Sequence, residues 1–104
     1  MSARSARPGR PDAAPSRLRR QVTIVNRRGL HARAAARFVK VAEQFNAEIA
    51  VAKDDMTVCG TSIMGLMMLA AAQGSTLEIQ TDGREAEAAL EALAAFVESG
   101  FDES

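Results

Sequence analysis

The sequence predicts an α+β domain, a four-stranded, mainly antiparallel sheet with three helices on one face, in the order β-α-β-β-α-β-α. Three observations carry this. Three short stretches alternate apolar and polar residues, the period of a half-buried strand, and a fourth, "MTVCG", is a short strand beside the second of them. Three longer stretches repeat apolar residues at spacings of three and four, the stripe of an amphipathic helix. Between two of the strands lies only a Lys53-Asp54-Asp55 turn, so those two form a hairpin. A hairpin with crossover helices packs most economically as helices layered on an antiparallel sheet.

The elements follow in order. "RQVTIV" places Val22 and Ile24 on one face of a first strand. "NRRG" is a loop, and from His31 to Phe45 the residues Ala35, Phe38, Ala42 and Phe45 form the stripe of a first helix. Arg33, Arg37, Lys40 and Gln44 fall on its other side. "AEIAVAK" and "MTVCG" are the hairpin strands, the first alternating through Ala47, Ile49 and Val51. Ser62 is a good N-cap for a short helix with Ile63, Leu66 and Leu69 as its stripe, and Gly74 is a natural stop just past its end. "STLEIQT" is the fourth strand. Asp82 and Glu85 have the spacing of a capping box before a last helix marked by Ala86, Leu90, Leu93 and Val97 and ended by Gly100. Gln21, Thr23, Glu78 and Gln80 interleave with apolar strand positions, so the second face of the sheet meets solvent.

A chain of 104 residues suits one domain with one modest core. Residues 1–18 are rich in Arg, Pro, Ser and Ala and are expected to be a disordered basic extension, because they have too little apolar bulk to offset ordering entropy. Their composition is also that of a transit peptide, although three prolines oppose the amphipathic helix such a peptide forms. Residues 19–104 are then the folded domain. No apolar run is long enough for a membrane span and no secretory signal precedes the domain, so a cytoplasmic protein is expected. Cys59, the only cysteine, excludes a disulfide framework and reads as a small buried hydrophobe.

The net charge of zero hides an asymmetry. Six arginines against one acid occupy residues 1–20, and seven basic against twelve acidic residues occupy the rest. Five of those seven, Arg27, Arg28, Arg33, Arg37 and Lys40, lie within ten residues of His31, the only histidine. The bland interpretation is a solvated helix face. The sharper one is an anion site. As the N-cap of the first helix, His31 precedes the amides of Ala32, Arg33 and Ala34, which have no intrahelical acceptor and add the positive end of the helix dipole. The small Ala32, Ala34 and Ala35 would leave room for the anion and for a partner. Imidazole is a good nucleophile near neutral pH and can receive and release a phosphoryl group. One His and one Cys do not make a typical zinc site, and no nucleophile is visibly paired with the histidine as in a hydrolase. No metal or cofactor is expected.

"GLHARAAARFVKVAEQF" and "CGTSIMGLMMLAAAQGSTLEI" together resemble the two signatures of the histidine-containing phosphocarrier (HPr) family of the bacterial phosphoenolpyruvate-dependent phosphotransferase system. The resemblance runs from about residue 20 to the end and leaves the basic extension outside. It implies an open-faced β-sandwich and a carrier, not an enzyme. Such a carrier takes a phosphoryl group from enzyme I on Nδ1 of His31, beside Arg33, and passes it to IIA-type proteins. It implies a regulatory serine at Ser62, acted on by a serine kinase/phosphorylase, although Thr61 stands where the family often has a basic residue. It implies docking through Arg33, Arg37 and Lys40 beside Ile63, Met64, Met67 and Met68. Ala34 replaces the family's usual proline. A monomer is expected, with no nucleic-acid or membrane partner. The alternative is a regulatory module, not serving sugar uptake, whose phosphorylation state modulates a kinase or transcription factor.

Overall fold

The computed structural model describes residues 17–103, and the expected basic extension falls almost wholly outside them. The elements are β1 (Leu18–Thr23), α1 (Ala32–Ala42), β2 (Glu48–Lys53), β3 (Met56–Cys59), α2 (Ile63–Met68), β4 (Thr76–Asp82) and α3 (Ala86–Glu98). The four strands form one fully antiparallel sheet in the order β1-β4-β2-β3. Its inner face carries Val22, Ile49, Val51, Leu77 and Ile79, which close the core with Ala35 and Phe38 of α1, Leu66 of α2, and Leu93 and Val97 of α3. Gln21 and Thr23 on the other face are exposed, and Glu78 and Gln80 half-buried. Among the described residues no helix is long and apolar enough to cross a membrane.

Several local expectations are corrected. β1 starts at Leu18, paired with Thr81, two residues before the apolar alternation begins. Its first half is exposed at a sheet edge, where Arg19 pairs with Glu78 and Arg20 with Glu98 of α3, each at 3.6 Å, so charged residues interrupt the apolar signal there. Ile24, just past the strand, is still buried and exchanges backbone bonds with Gly74 and Ser75. α1 stops at Ala42, although Phe45 still packs on the core from the following turn.

Cys59 is exposed, contrary to expectation. Val58 takes the inward position on β3, and strand alternation turns its neighbour outward. The Sγ of Cys59 lies 3.1 Å from the Thr61 hydroxyl, and this contact holds the thiol below its ordinary pKa.

α2 is only six residues long. Ala70 adopts a left-handed φ of 51°, which ends the helical path well before Gly74. Leu66 and Leu69 are buried, but Ile63 is 41% exposed and is not part of the core stripe. The helix start expected at Asp82 is displaced, with Glu85 itself the N-cap of α3. Asp82 closes β4, and the Glu85 carboxylate accepts instead from the Asn46 amide at 2.6 Å, tying the start of α3 to the loop before β2.

Candidate functional site

The site grows from the loop of residues 26–30. Gly29 has a φ of 68°, and a Cβ there would stand 2.5 Å from the Ala71 carbonyl oxygen and 2.9 Å from Ala72 Cα. Only glycine fits both the left-handed conformation and the close approach. The Leu30 amide donates to that same Ala71 oxygen at 2.9 Å, and the Leu30 side chain is buried. Gly29 and Leu30 thus fasten the loop to the segment following α2 and deliver His31 to the start of α1.

His31 is the N-cap, with extended backbone (φ −83°, ψ 177°), and its ring does not bond the helix amides. Its carbonyl accepts the first helical bond, from Ala35 N at 2.8 Å. The amides of Ala32, Arg33 and Ala34 have no acceptor among the described residues. They are the donors a helix N-terminus leaves for an anion. Ala32 and Arg33 are exposed, whereas Ala34 and Ala35 are completely buried. The space expected from three small residues therefore comes from Ala32 alone. The side chains of Ala34 and Ala35 face the core because the apolar stripe of α1 begins with them.

Sequence reasoning missed Glu103. The His31 Nε2 contacts a carboxylate oxygen of Glu103. The other carboxylate oxygen accepts from Asn26 Nδ2 at 3.0 Å, and the same amide group donates to the Gly29 carbonyl at 2.9 Å. The bonds from His31 and Asn26, in that order of weight, hold the Glu103 carboxyl below the usual carboxylate range, and the charges of His31 and Arg28 add to them. Glu103 also lines a cleft of about 290 Å³ with Arg28, Arg33, Arg37 and Asp102. No local signal in the sequence joins positions 31 and 103; the contact exists because α3 returns the end of the chain to the start of α1.

The remaining predicted residues fall into two groups. Arg37 is half-buried and donates to the Phe101 carbonyl at 3.2 Å, while Lys40 is exposed farther along α1. On α2, which packs beside α1, Ile63, Met64, Met67 and Met68 are 41%, 75%, 44% and 63% exposed and form an apolar surface. Ser62 caps α2, its hydroxyl accepting from Gly65 N at 2.9 Å.

Residues 18–99 match the family profile PTS-HPr, described as the PTS HPr component phosphorylation site. Among curated proteins, the phosphocarrier protein HPr of Neisseria meningitidis serogroup A is 46% identical over 86 residues, 83% of this chain and 97% of that protein. The HPr-like protein Crh of Halalkalibacterium halodurans is 46% identical over 81 residues, 78% of this chain and 96% of that one. The crystal structure of a phosphocarrier protein HPr from Bacillus anthracis superposes with a TM-score of 0.76 at 48% identity, over 79% of this chain and 98% of the other.

Proposed function

The chain belongs to the HPr family of phosphotransferase-system phosphocarriers, a carrier and not an enzyme, and from that premise we propose that His31 is its phosphorylated residue and that Nδ1 is the atom modified. The observation that carries this is the partition of the ring. Nε2 is engaged by Glu103, while Nδ1 has no partner among the described residues and belongs to the residue that opens α1. In the step, the Nδ1 lone pair forms a bond to phosphorus as the donor's bond to phosphorus breaks, and that electron pair leaves with the donor. Onward transfer is the reverse, with the pair returning to Nδ1. The amides of Ala32, Arg33 and Ala34 and the guanidinium of Arg33 supply positive charge where the phosphoryl oxygens gather.

The donor is enzyme I and the acceptors are IIA-type proteins, met in the cytoplasm by the monomer. Ile63, Met64, Met67 and Met68 give the partner a flexible apolar surface, and Arg33, Arg37 and Lys40 give it a basic border. Ser62 is a regulatory site for a serine kinase/phosphorylase. A phosphate there adds about −1.5 to −2 charge beside the apolar surface, opposing the docking of an acidic partner. Residues 1–16 are a basic extension ahead of the carrier domain, whose first strand begins at Leu18 rather than after it. The likeness to Crh, an HPr-like protein, supports a second reading, a regulatory module that signals by its phosphorylation state to a kinase or transcription factor.

Incubation with phosphoenolpyruvate and enzyme I, followed by intact-mass measurement, tests the proposal. One acid-labile phosphoryl group is expected on the native chain and none on His31→Ala. Incorporation that persists in His31→Ala overturns the assignment.

A further inference from the structure

The end of the chain is built to place one carboxylate. Gly100, Phe101 and Asp102 follow one another at φ 79°, 59° and 58°, a left-handed run that reverses the chain after α3. Left-handed non-glycine residues persist only where their surroundings hold them, and here they are held from several sides. Phe101 is fully buried and packs edge-to-face on Phe96, with ring centroids 5.6 Å apart. Its carbonyl accepts from Arg37 of α1, and the Glu103 amide donates to the Gly100 carbonyl at 3.1 Å. The Ser99 hydroxyl accepts from the Asp102 amide at 3.2 Å. Asn26, nine-tenths buried, then spends both amide hydrogens on Gly29 and Glu103. Its Oδ1 has no partner among the described residues, as expected of an amide oriented by its two donor bonds. The family match ends at residue 99, short of the carboxylate all this positions.

We infer that Glu103 is a positioning residue for phosphoryl transfer: its carboxylate accepts the Nε2–H of His31, fixes the ring's rotation and tautomer, and leaves the Nδ1 lone pair as the nucleophile. A carboxylate on the distal nitrogen is a general means of settling which imidazole nitrogen reacts. It also meets the charge requirement of the step. When Nδ1 bonds to phosphorus the ring becomes cationic, with its proton retained on Nε2, and the adjacent anion stabilises that cation. Asn26 is the outer member of the relay, joining the carboxylate to the loop that delivers the histidine. The inference rests on His31 being the phosphorylated residue, and one of its two readouts does not depend on that assignment.

The test uses the full chain with Glu103→Ala and Glu103→Gln. Long-range proton–nitrogen spectra of the unphosphorylated proteins, at a pH where the ring is neutral, report the tautomer and the exchange of the ring N–H. The native chain should show a single Nε2–H tautomer with a slowly exchanging proton. Glu103→Ala should show fast exchange and a mixture of tautomers, and Glu103→Gln, whose amide oxygen still accepts, should recover the native pattern. In parallel, the rate of phosphoryl uptake from enzyme I should fall about tenfold or more in Glu103→Ala, as for loss of an orienting partner, with partial rescue in Glu103→Gln. An unchanged ring spectrum in Glu103→Ala overturns the inference. So does an unchanged or faster uptake, the latter meaning that the carboxylate obstructs the site. If the native chain takes up no phosphoryl group, the functional proposal fails, and the ring spectra still decide whether Glu103 holds the imidazole.

Discussion

At the scale of single residues, the charge beside His31 is divided between the Arg33 side chain and three backbone amides, and substitutions separate the two. Arg33→Ala keeps the helix and removes a full charge; phosphoryl uptake should fall by about 10²-fold or more, the usual cost of removing a stabilising donor. Ala34→Pro removes an amide hydrogen that has no acceptor among the described residues. It should fold, change stability by no more than about 1 kcal/mol, and transfer at nearly the native rate. Rapid-mixing kinetics on both variants check the ranking, and equal slowing would make the amide of residue 34 a phosphate ligand. Gly29→Ala would force a Cβ against the Ala71 carbonyl in a left-handed backbone, so a loss of about 1–3 kcal/mol is expected in urea unfolding. Glu103 sets a pH dependence. Its carboxyl lies lower in the folded chain than its unfolded value of about 4.3. Its stabilisation is therefore complete above that value and is lost as pH falls through the lower, folded one. The gap in thermal midpoint between the native chain and Glu103→Gln should hold constant down to about pH 4.3 and close below it.

At the scale of elements, the seven residues from Ser62 to Met68 combine a cap, a core contact and an exposed apolar face. Ser62→Ala removes the acceptor for Gly65 N and should cost about 1 kcal/mol, read from denaturant unfolding. Ser62→Asp keeps an acceptor at the cap, so it should preserve the fold while slowing uptake from enzyme I; uptake at the native rate would count against a regulatory role for Ser62. The same element shows what was legible in advance. The Ser62 cap and the Leu66–Leu69 stripe were readable because they depend on neighbours three or four residues away. Its early end was not, because Ala70 takes a left-handed conformation that composition does not announce. Cys59 was misjudged for a related reason. Whether a strand residue points in or out is set by the register of the whole hairpin, here Ala50 opposite Cys59 and Val51 opposite Val58, and not by the flanking residue types.

At the scale of the whole molecule, the strand alternations, the hairpin and three stripes were enough for the element order and the layered antiparallel arrangement, since each element needed one buried face and the connections allowed few packings; the strand order β1-β4-β2-β3 came only with the structure. The candidate site was half legible. His31, its cap position and Arg33 lie within three consecutive residues; Glu103 is brought to the ring only when the last turn of the chain folds over the first helix. The start of β1 at Leu18 bounds what can be removed at the other end. A chain lacking residues 1–16 should keep its thermal midpoint within a degree or two, and a loss of several degrees would mean that the basic extension belongs to the folded unit. Phosphorus–nitrogen correlation spectra of the chain charged by phosphoenolpyruvate and enzyme I test whether the single imidazole at the start of α1 carries the phosphoryl group on Nδ1. One phosphorus signal is expected, coupled to Nδ1 of His31. A signal coupled to Nε2, or a phosphoryl group on any other residue, would contradict it.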